Sequence, residues 1–258
     1  MAINDALPGI EIVITVDGEP LEEYIESASK QEPNTITRYV EAKSDQIFAI
    51  RITVAKGTPM KGDCLVFAIY VDGKLSDGSY VGSEEVLSQS TTVIVAGRCL
   101  SSTTLQRFIF SSLELATDDK MFYDEIALPE DLGAIEITVS EHDLLEECDH
   151  FEEEDASSGV GIVSEKALKG CAISHSVAFE APTAMAEQMC TKTEPVDGNA
   201  QPVAKMVFKY RSRESLRAEM IIPRTPSPPP LEEKEELSQE EVRELQRQMR
   251  DLRAFKQV

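Results

Sequence analysis

AKMVFKYRSRESLRAEMIIPRTPSPPP, Ala204 to Pro230, passes from a β-like run through a short basic helix into a proline-rich segment. Met206, Phe208 and Tyr210 alternate with Val207 and Lys209, the two-residue period of a half-buried strand. Ser212 follows as the expected N-cap of a short helix that holds Leu216. Pro223 to Pro230 then contains five prolines, which supply no backbone donor and can neither continue a helix nor join a sheet. The stretch therefore predicts the end of a strand-built body and the start of an extension. It divides the chain into a body at 1–222, a linker at 223–237 and a C-terminal segment at 238–258.

Downstream, the spacing predicts one amphipathic helix. Leu237-Ser238-Gln239-Glu240-Glu241-Val242 combines a capping box, Ser238 with Glu241, and a hydrophobic staple, Leu237 with Val242. Val242, Leu245, Met249 and Leu252 recur at helical spacing, with acids early and arginines late, as the helix dipole favours. A lone helix of roughly 20 residues is marginal in water, so this apolar stripe is expected to seek a protein partner. Thr225 and Ser227, each followed by proline and set beside Arg224, are candidate phosphorylation sites. Each phosphate would add about −1.5 to −2 charge.

Upstream, the apolar pattern is that of strands. Ile10, Ile12, Ile14 and Val16 share one face of a run that ends in Asp17-Gly18, a hairpin-turn dipeptide. Thr35 to Ala42, Ile47 to Val54 and Cys64 to Val71 repeat the pattern, the last ending in Asp72-Gly73. The Val-Asp-Gly endings at 16–18 and 71–73 reflect shared turn chemistry. Thr92 to Ala96, Arg107 to Ser111, Ala134 to Val139 and Ala172 to Phe179 read as further strands. No helix of ten or more residues falls between the early strands, which excludes a parallel α/β sheet. The expected fold is mainly β: an antiparallel β-sandwich, jelly-roll-like or immunoglobulin-like, with short helices and the C-terminal amphipathic helix.

Two segments read as exceptions. Glu141 to Asp155, EHDLLEECDHFEEED, holds nine acids and no Lys or Arg, and with the Ser-Ser-Gly after it predicts a mobile acidic loop over 141–158. Glu180 to Pro202, rich in Pro, Thr and acids, reads as loop. Ser164 to Gly170 reads as a short helix capped by Ser164 and stopped by Gly170.

Charge and cysteines narrow the setting. The formal net charge is −22 over 258 residues. Residues 1–155 carry 10 Lys and Arg against 32 Asp and Glu, whereas 156–258 are balanced at 15 each, so the body holds the whole excess. Such a field opposes binding to nucleic acid or an anionic membrane. Five widely spaced cysteines without a CxxC pattern point to reduced thiols in an intracellular protein, cytoplasmic or nuclear. MAINDALPGIEIVITV lacks the basic start of a signal peptide, and no run approaches the length of a membrane helix.

GIEIVITVDGEPLEEY (Gly9 to Tyr24), Arg38-Tyr39-Val40-Glu41-Ala42, SEKALKGCAISHSV (Ser164 to Val177) and VFKYRSRESLRAEMIIPRTPSP (Val207 to Pro228) together resemble a family of fungal proteins known as a domain of unknown function. The resemblance covers most of residues 9–228. It supports the fold and a fungal, intracellular setting, and it supplies no catalytic residues.

Chemistry-bearing patterns are sparse. His142, Cys148 and His150 are ligand types for a transition metal, but their spacing fits no structural zinc pattern, so they read as parts of a solvated loop. Gly78 and Glu84 fall in an EF-hand-like register that lacks its carboxylates, and Ser27 to Lys30 matches Ser-x-x-Lys without companion motifs. His175, between two serines, could serve as a base but reads as structural. No catalytic residue and no cofactor is expected. Lys205 to Arg224, with six basic and two acidic residues, is a potential mate for the acidic loop. The reading is therefore a non-enzymatic interaction module that meets a protein through its C-terminal helix or its acidic loop. The alternatives are an enzyme or carbohydrate- or metal-binding sandwich with a site assembled from loops, and an acidic chaperone for basic proteins.

Overall fold

The computed structural model describes residues 2–3, 8–26, 33–116, 131–148, 155–156, 159, 163–164, 168, 172–199, 201–223, 243–244 and 246–248. Twelve strands of five or more residues are formed among them: β1 (Ile10–Val16), β2 (Thr35–Glu41), β3 (Ile47–Val54), β4 (Cys64–Val71), β5 (Lys74–Gly82), β6 (Thr91–Val95), β7 (Gly97–Ser101), β8 (Thr104–Ser112), β9 (Ala134–Cys148), β10 (His175–Phe179), β11 (Cys190–Pro195) and β12 (Ala204–Arg211). Two short helices, α1 (Ser83–Ser88) and α2 (Arg213–Ala218), join them. Backbone contacts divide the chain into Met1–Pro223 and Arg224–Val258. Residues 243, 244 and 246–248 of the second unit are helical. Among the described residues, no helix is long and apolar enough to cross a membrane.

The fold is mainly β, in two open sheets. In the first, β1 pairs β3, and β3 pairs both β6 and the middle of β8, at Phe108 and Ile109, while the far side of β8 takes β10. Its inner rows follow from the sequence alternation, with Ile12 opposite Ile52, Ile14 opposite Ile50, and Val16 opposite Phe48. In the second, the order is β2-β12-β9-β4-β5, with β11 beside the outer half of β9. Ile137 lies between Met206 and Ile69, and Val139 between Ala204 and Phe67. These rows of both sheets, from Ile12 and Phe48 to Phe67 and Phe208, form one continuous buried cluster. Burying each such side chain favours the folded state by about 1.5–3 kcal/mol.

The second sheet is mixed rather than antiparallel: β2 and β12 run parallel, Thr35 opposite Lys205 through Glu41 opposite Arg211. Hydrophobic alternation reports which face a residue takes and carries no direction, so this pairing was invisible to the pattern. The two Asp-Gly turns adopt left-handed backbone at both residues, φ 52° and 82° at 17–18 and 51° and 76° at 72–73, as two-residue hairpins require. A third copy, Val196-Asp197-Gly198, turns the chain after β11 with φ 56° and 66°.

Ser212 caps α2 as expected, its hydroxyl accepting the Ser215 N–H at 3.1 Å, and Leu216 is fully buried against Tyr39 and Ile222. Val163 and Ser164 form a short parallel bridge to Leu115–Ala116, and the helix expected over Ser164 to Gly170 lies, apart from Ser164 and Leu168, outside the described residues. Two expectations are corrected. The acidic stretch expected as a mobile loop is strand as far as Cys148, because β11 supplies it with a backbone partner. The basic segment does not pair with that stretch among the described residues. Lys205 meets Glu136 at 2.8 Å, Arg213 meets Glu41 at 2.8 Å, and both partners lie in strands of the same sheet.

Candidate functional site

Two places in the fold gather polar chemistry. The first is a buried knot around Asp72, which is 2% exposed. Its Oδ1 accepts the Gly133 N–H at 2.8 Å and the Tyr210 hydroxyl, and its Oδ2 accepts the Val177 N–H at 2.9 Å. The same tripeptide at 16–18 leaves Asp17 exposed, so one turn motif does two different jobs. Burial pushes the Asp72 carboxyl up, while hydrogen bonds from Tyr210, Val177, Gly133 and Ala134 pull it down. Burial and then the charge of Asp72 push the Tyr210 hydroxyl well above its ordinary value. Beside them the buried Arg211 donates from Nη1 to the carbonyls of Gly133 at 2.7 Å and Tyr210 at 2.8 Å. Gly133 must lack a side chain: φ is +77°, and a Cβ would lie 2.6 Å from that guanidinium. The knot ties the β4–β5 turn, the entry to β9, β10 and β12 into one end of the sandwich.

His175 borders this knot. Its Nε2 lies 3.2 Å from the exposed Ser44 hydroxyl and its Nδ1 lies 2.9 Å from Ser174 Oγ, which also accepts the Ser212 N–H at 2.7 Å. The imidazole thus joins the turn before β3 to the cap of α2. Burial lowers its pKa from 6.5. A folded value below the unfolded one means that the stability it contributes is fully present above about pH 6.5 and is lost as pH falls through the folded value. His175→Gln is accordingly expected to flatten the fall in urea midpoint of the chain as pH drops below that of the unfolded imidazole. Two clefts of about 100 and 210 Å³ open nearby, neither lined by His175 and both below the roughly 300 Å³ at which small-molecule sites begin.

The second place is the outer half of β9. Up to His142 this strand has β4 on one side, and from His142 to Cys148 it has β11 on the other. Beyond the Cys64–His142 pair, the β4 side carries no further strand among the described residues, and only the Leu144 N–H is met there, by Asp63 Oδ2 at 3.2 Å. Gly62 allows this close approach of the preceding loop, since a Cβ would sit 2.4 Å from the His142 carbonyl. A bulge between Leu144 and Glu147 sets three steps of β9 against two of β11. Bulges re-aim side chains at strand edges, and Leu144 and Leu145 are both outward, 39% and 54% exposed. Around them the two strands carry Glu141, Asp143, Glu146, Glu147 and Glu194 against one cation, Lys192, which meets Glu146 at 3.3 Å. Thr191 and Thr193 hydrogen-bond from β11 to the Tyr80 hydroxyl at 3.1 Å and to His142 Nδ1 at 2.9 Å.

The residues singled out by sequence are dispersed. His142 and Cys148 stand at opposite ends of the same ribbon strand, roughly 20 Å apart at about 3.3 Å per residue, too far to share an ion. His150, Thr225, Ser227, Val242, Leu245, Met249 and Leu252 lie outside the described residues. Among the described residues, no group of three or more His, Cys, Asp or Glu side chains is placed to hold a metal ion. Asp72 and the leucine pair escaped notice as a site. The alternation Thr191-Lys192-Thr193-Glu194 was the available signal for β11.

One comparison with known proteins gives a match. The family described as Domain of unknown function (DUF7918) spans residues 9–225, from just before β1 to just past α2. No curated protein and no solved structure matches the chain.

Proposed function

The chain belongs to that family of unknown function, and we propose that it is a protein-interaction module whose β9–β11 ribbon receives a basic, extended peptide segment. The observation that carries this reading is the pair Leu144 and Leu145, outward on an acidic ribbon with an open edge. An open strand edge offers backbone hydrogen bonds to an added strand. Exposed leucines give such a strand apolar contacts, and the surrounding carboxylates select lysine and arginine and speed encounter. The polar groups of the sandwich end support the same reading, since Asp72 and the Arg211 Nη1 make their hydrogen bonds with backbone groups and the Tyr210 hydroxyl, and His175 bonds Ser44 and Ser174. The amphipathic stripe of Val242, Leu245, Met249 and Leu252 belongs to this proposal as a second partner contact. Phosphorylation at Thr225 and Ser227 beside Arg224 is its proposed control.

The test is fluorescence anisotropy with two synthetic peptides, one alternating Lys with Val and one alternating Glu with Val. The Lys-Val peptide is expected to bind the full chain, with affinity falling as salt rises. A Leu144→Ser/Leu145→Ser variant is expected to bind it at least about tenfold more weakly, or about 1.4 kcal/mol, with its thermal midpoint unchanged. Equal binding of both peptides, or undiminished binding by the variant, would defeat the proposal.

A further inference from the structure

The register of the ribbon sets Cys148 directly opposite Cys190. Facing residues in antiparallel strands have Cα atoms about 4.5 or 5.5 Å apart, according to their place in the hydrogen-bond ladder. Both separations fall inside the roughly 4.4–6.8 Å that a disulfide spans. We infer that Cys148 and Cys190 form a cross-strand dithiol that closes to a single reversible disulfide, fastening the outer end of the ribbon.

The reaction balances with a small disulfide, RSSR, as oxidant. One cysteine thiolate attacks RSSR, forming a mixed disulfide and releasing RS⁻. The second thiolate then displaces the remaining RS⁻, so two protein thiols and RSSR become one protein disulfide and two RSH. Neighbouring thiols compete poorly. Cys64 is fully buried, and burial with Asp63 and Asp143 pushes its thiol up to about 11. Burial and Asp77 push the Cys99 thiol up to about 12, its Sγ donating to Asp77 at 3.7 Å. A thiol held so far from ionisation reacts slowly. The acidic residues of the ribbon also repel an anionic oxidant, so an uncharged disulfide is expected to react faster than glutathione disulfide. The inference holds whether or not the ribbon receives a peptide.

The experiment equilibrates the full chain with hydroxyethyl disulfide and mercaptoethanol, traps thiols by alkylation, and maps peptides without reduction. One linkage is expected, joining the peptides of Cys148 and Cys190, and it persists in Cys171→Ser. Its equilibrium constant is expected to be at least about tenfold larger for the folded chain than for the same chain in urea, because pairing raises the effective concentration of the thiols. Cys190→Ser should leave Cys148 as a hydroxyethyl mixed disulfide. Linkages scattered over other cysteines, mixed disulfides alone in the unsubstituted chain, or an equal constant in urea would each overturn the inference.

Discussion

Asp72→Ala is expected to lower the free energy of unfolding by about 3–5 kcal/mol, measured by urea denaturation at neutral pH. The substitution strands the Gly133 N–H, the Val177 N–H and the Tyr210 hydroxyl in the interior. Each unsatisfied buried group costs about 1–3 kcal/mol, partly offset by no longer desolvating a carboxyl. Alanine is also strained at φ 51°. The molecule supplies its own control, since Asp17 occupies the same turn at φ 52° and is exposed. Asp17→Ala should therefore report the turn strain alone, about 1 kcal/mol, and the difference isolates the knot. Asp72→Asn should fall between the two, because it keeps an acceptor for Gly133 and Tyr210 but turns its amide toward the Val177 N–H. Equal losses for Asp72→Ala and Asp17→Ala would show that the buried hydrogen bonds contribute nothing net.

Phe48→Ala is the second large effect, also expected at about 3–5 kcal/mol. Phe48 is fully buried in β3, with ring centroids 4.2 Å from Phe110 and 5.3 Å from Phe108. Phe110 in turn lies 5.2 Å from Tyr210 across the sandwich. Removing the first ring opens a cavity where the two sheets meet, and close packing leaves little room for collapse. Since Tyr210 also holds Asp72, the effects of Phe110→Leu and Asp72→Asn are not expected to add, as is usual for neighbours sharing a partner. A loss below about 1.5 kcal/mol for Phe48→Ala, with an unchanged denaturant slope, would mean that the two sheets are not joined through this ring.

The strands legible in the sequence are those with one wet face. Ile47–Val54 alternates cleanly and buries every second residue, Cys64–Val71 does so from Leu65 onward, and Ile10–Val16 buries Val13 and Thr15 of its second face as well. Strands held by backbone pairing rather than by an apolar stripe were harder to see. β5, KLSDGSYVG, buries only Ser76 and Val81, and β11, CTKTEP, has no fully buried residue. The ribbon half of β9 was misjudged because nine acids outweighed the alternation beneath them. Composition describes the cost of crowding charge, whereas a partner strand removes the entropy that would keep such a segment loose. The turn at 71–73 was read correctly as a turn. Nothing in three letters shows that Val177, Gly133 and Tyr210 converge on its carboxylate, because that convergence depends on strands far apart in the chain.

The parallel pairing of β2 with β12 also bears on how the molecule is made. β12 is the last strand of the sandwich to be synthesised, yet it lies in the middle of its sheet, between β2 and β9. A nascent chain still lacking Ala204–Arg211 holds two strands with nothing between them, and the inner rows of that sheet face solvent. The contact order is high, a property that slows folding and exposes strand edges to aggregation. Folding of this sheet on the ribosome must therefore wait until Ala204–Arg211 has emerged.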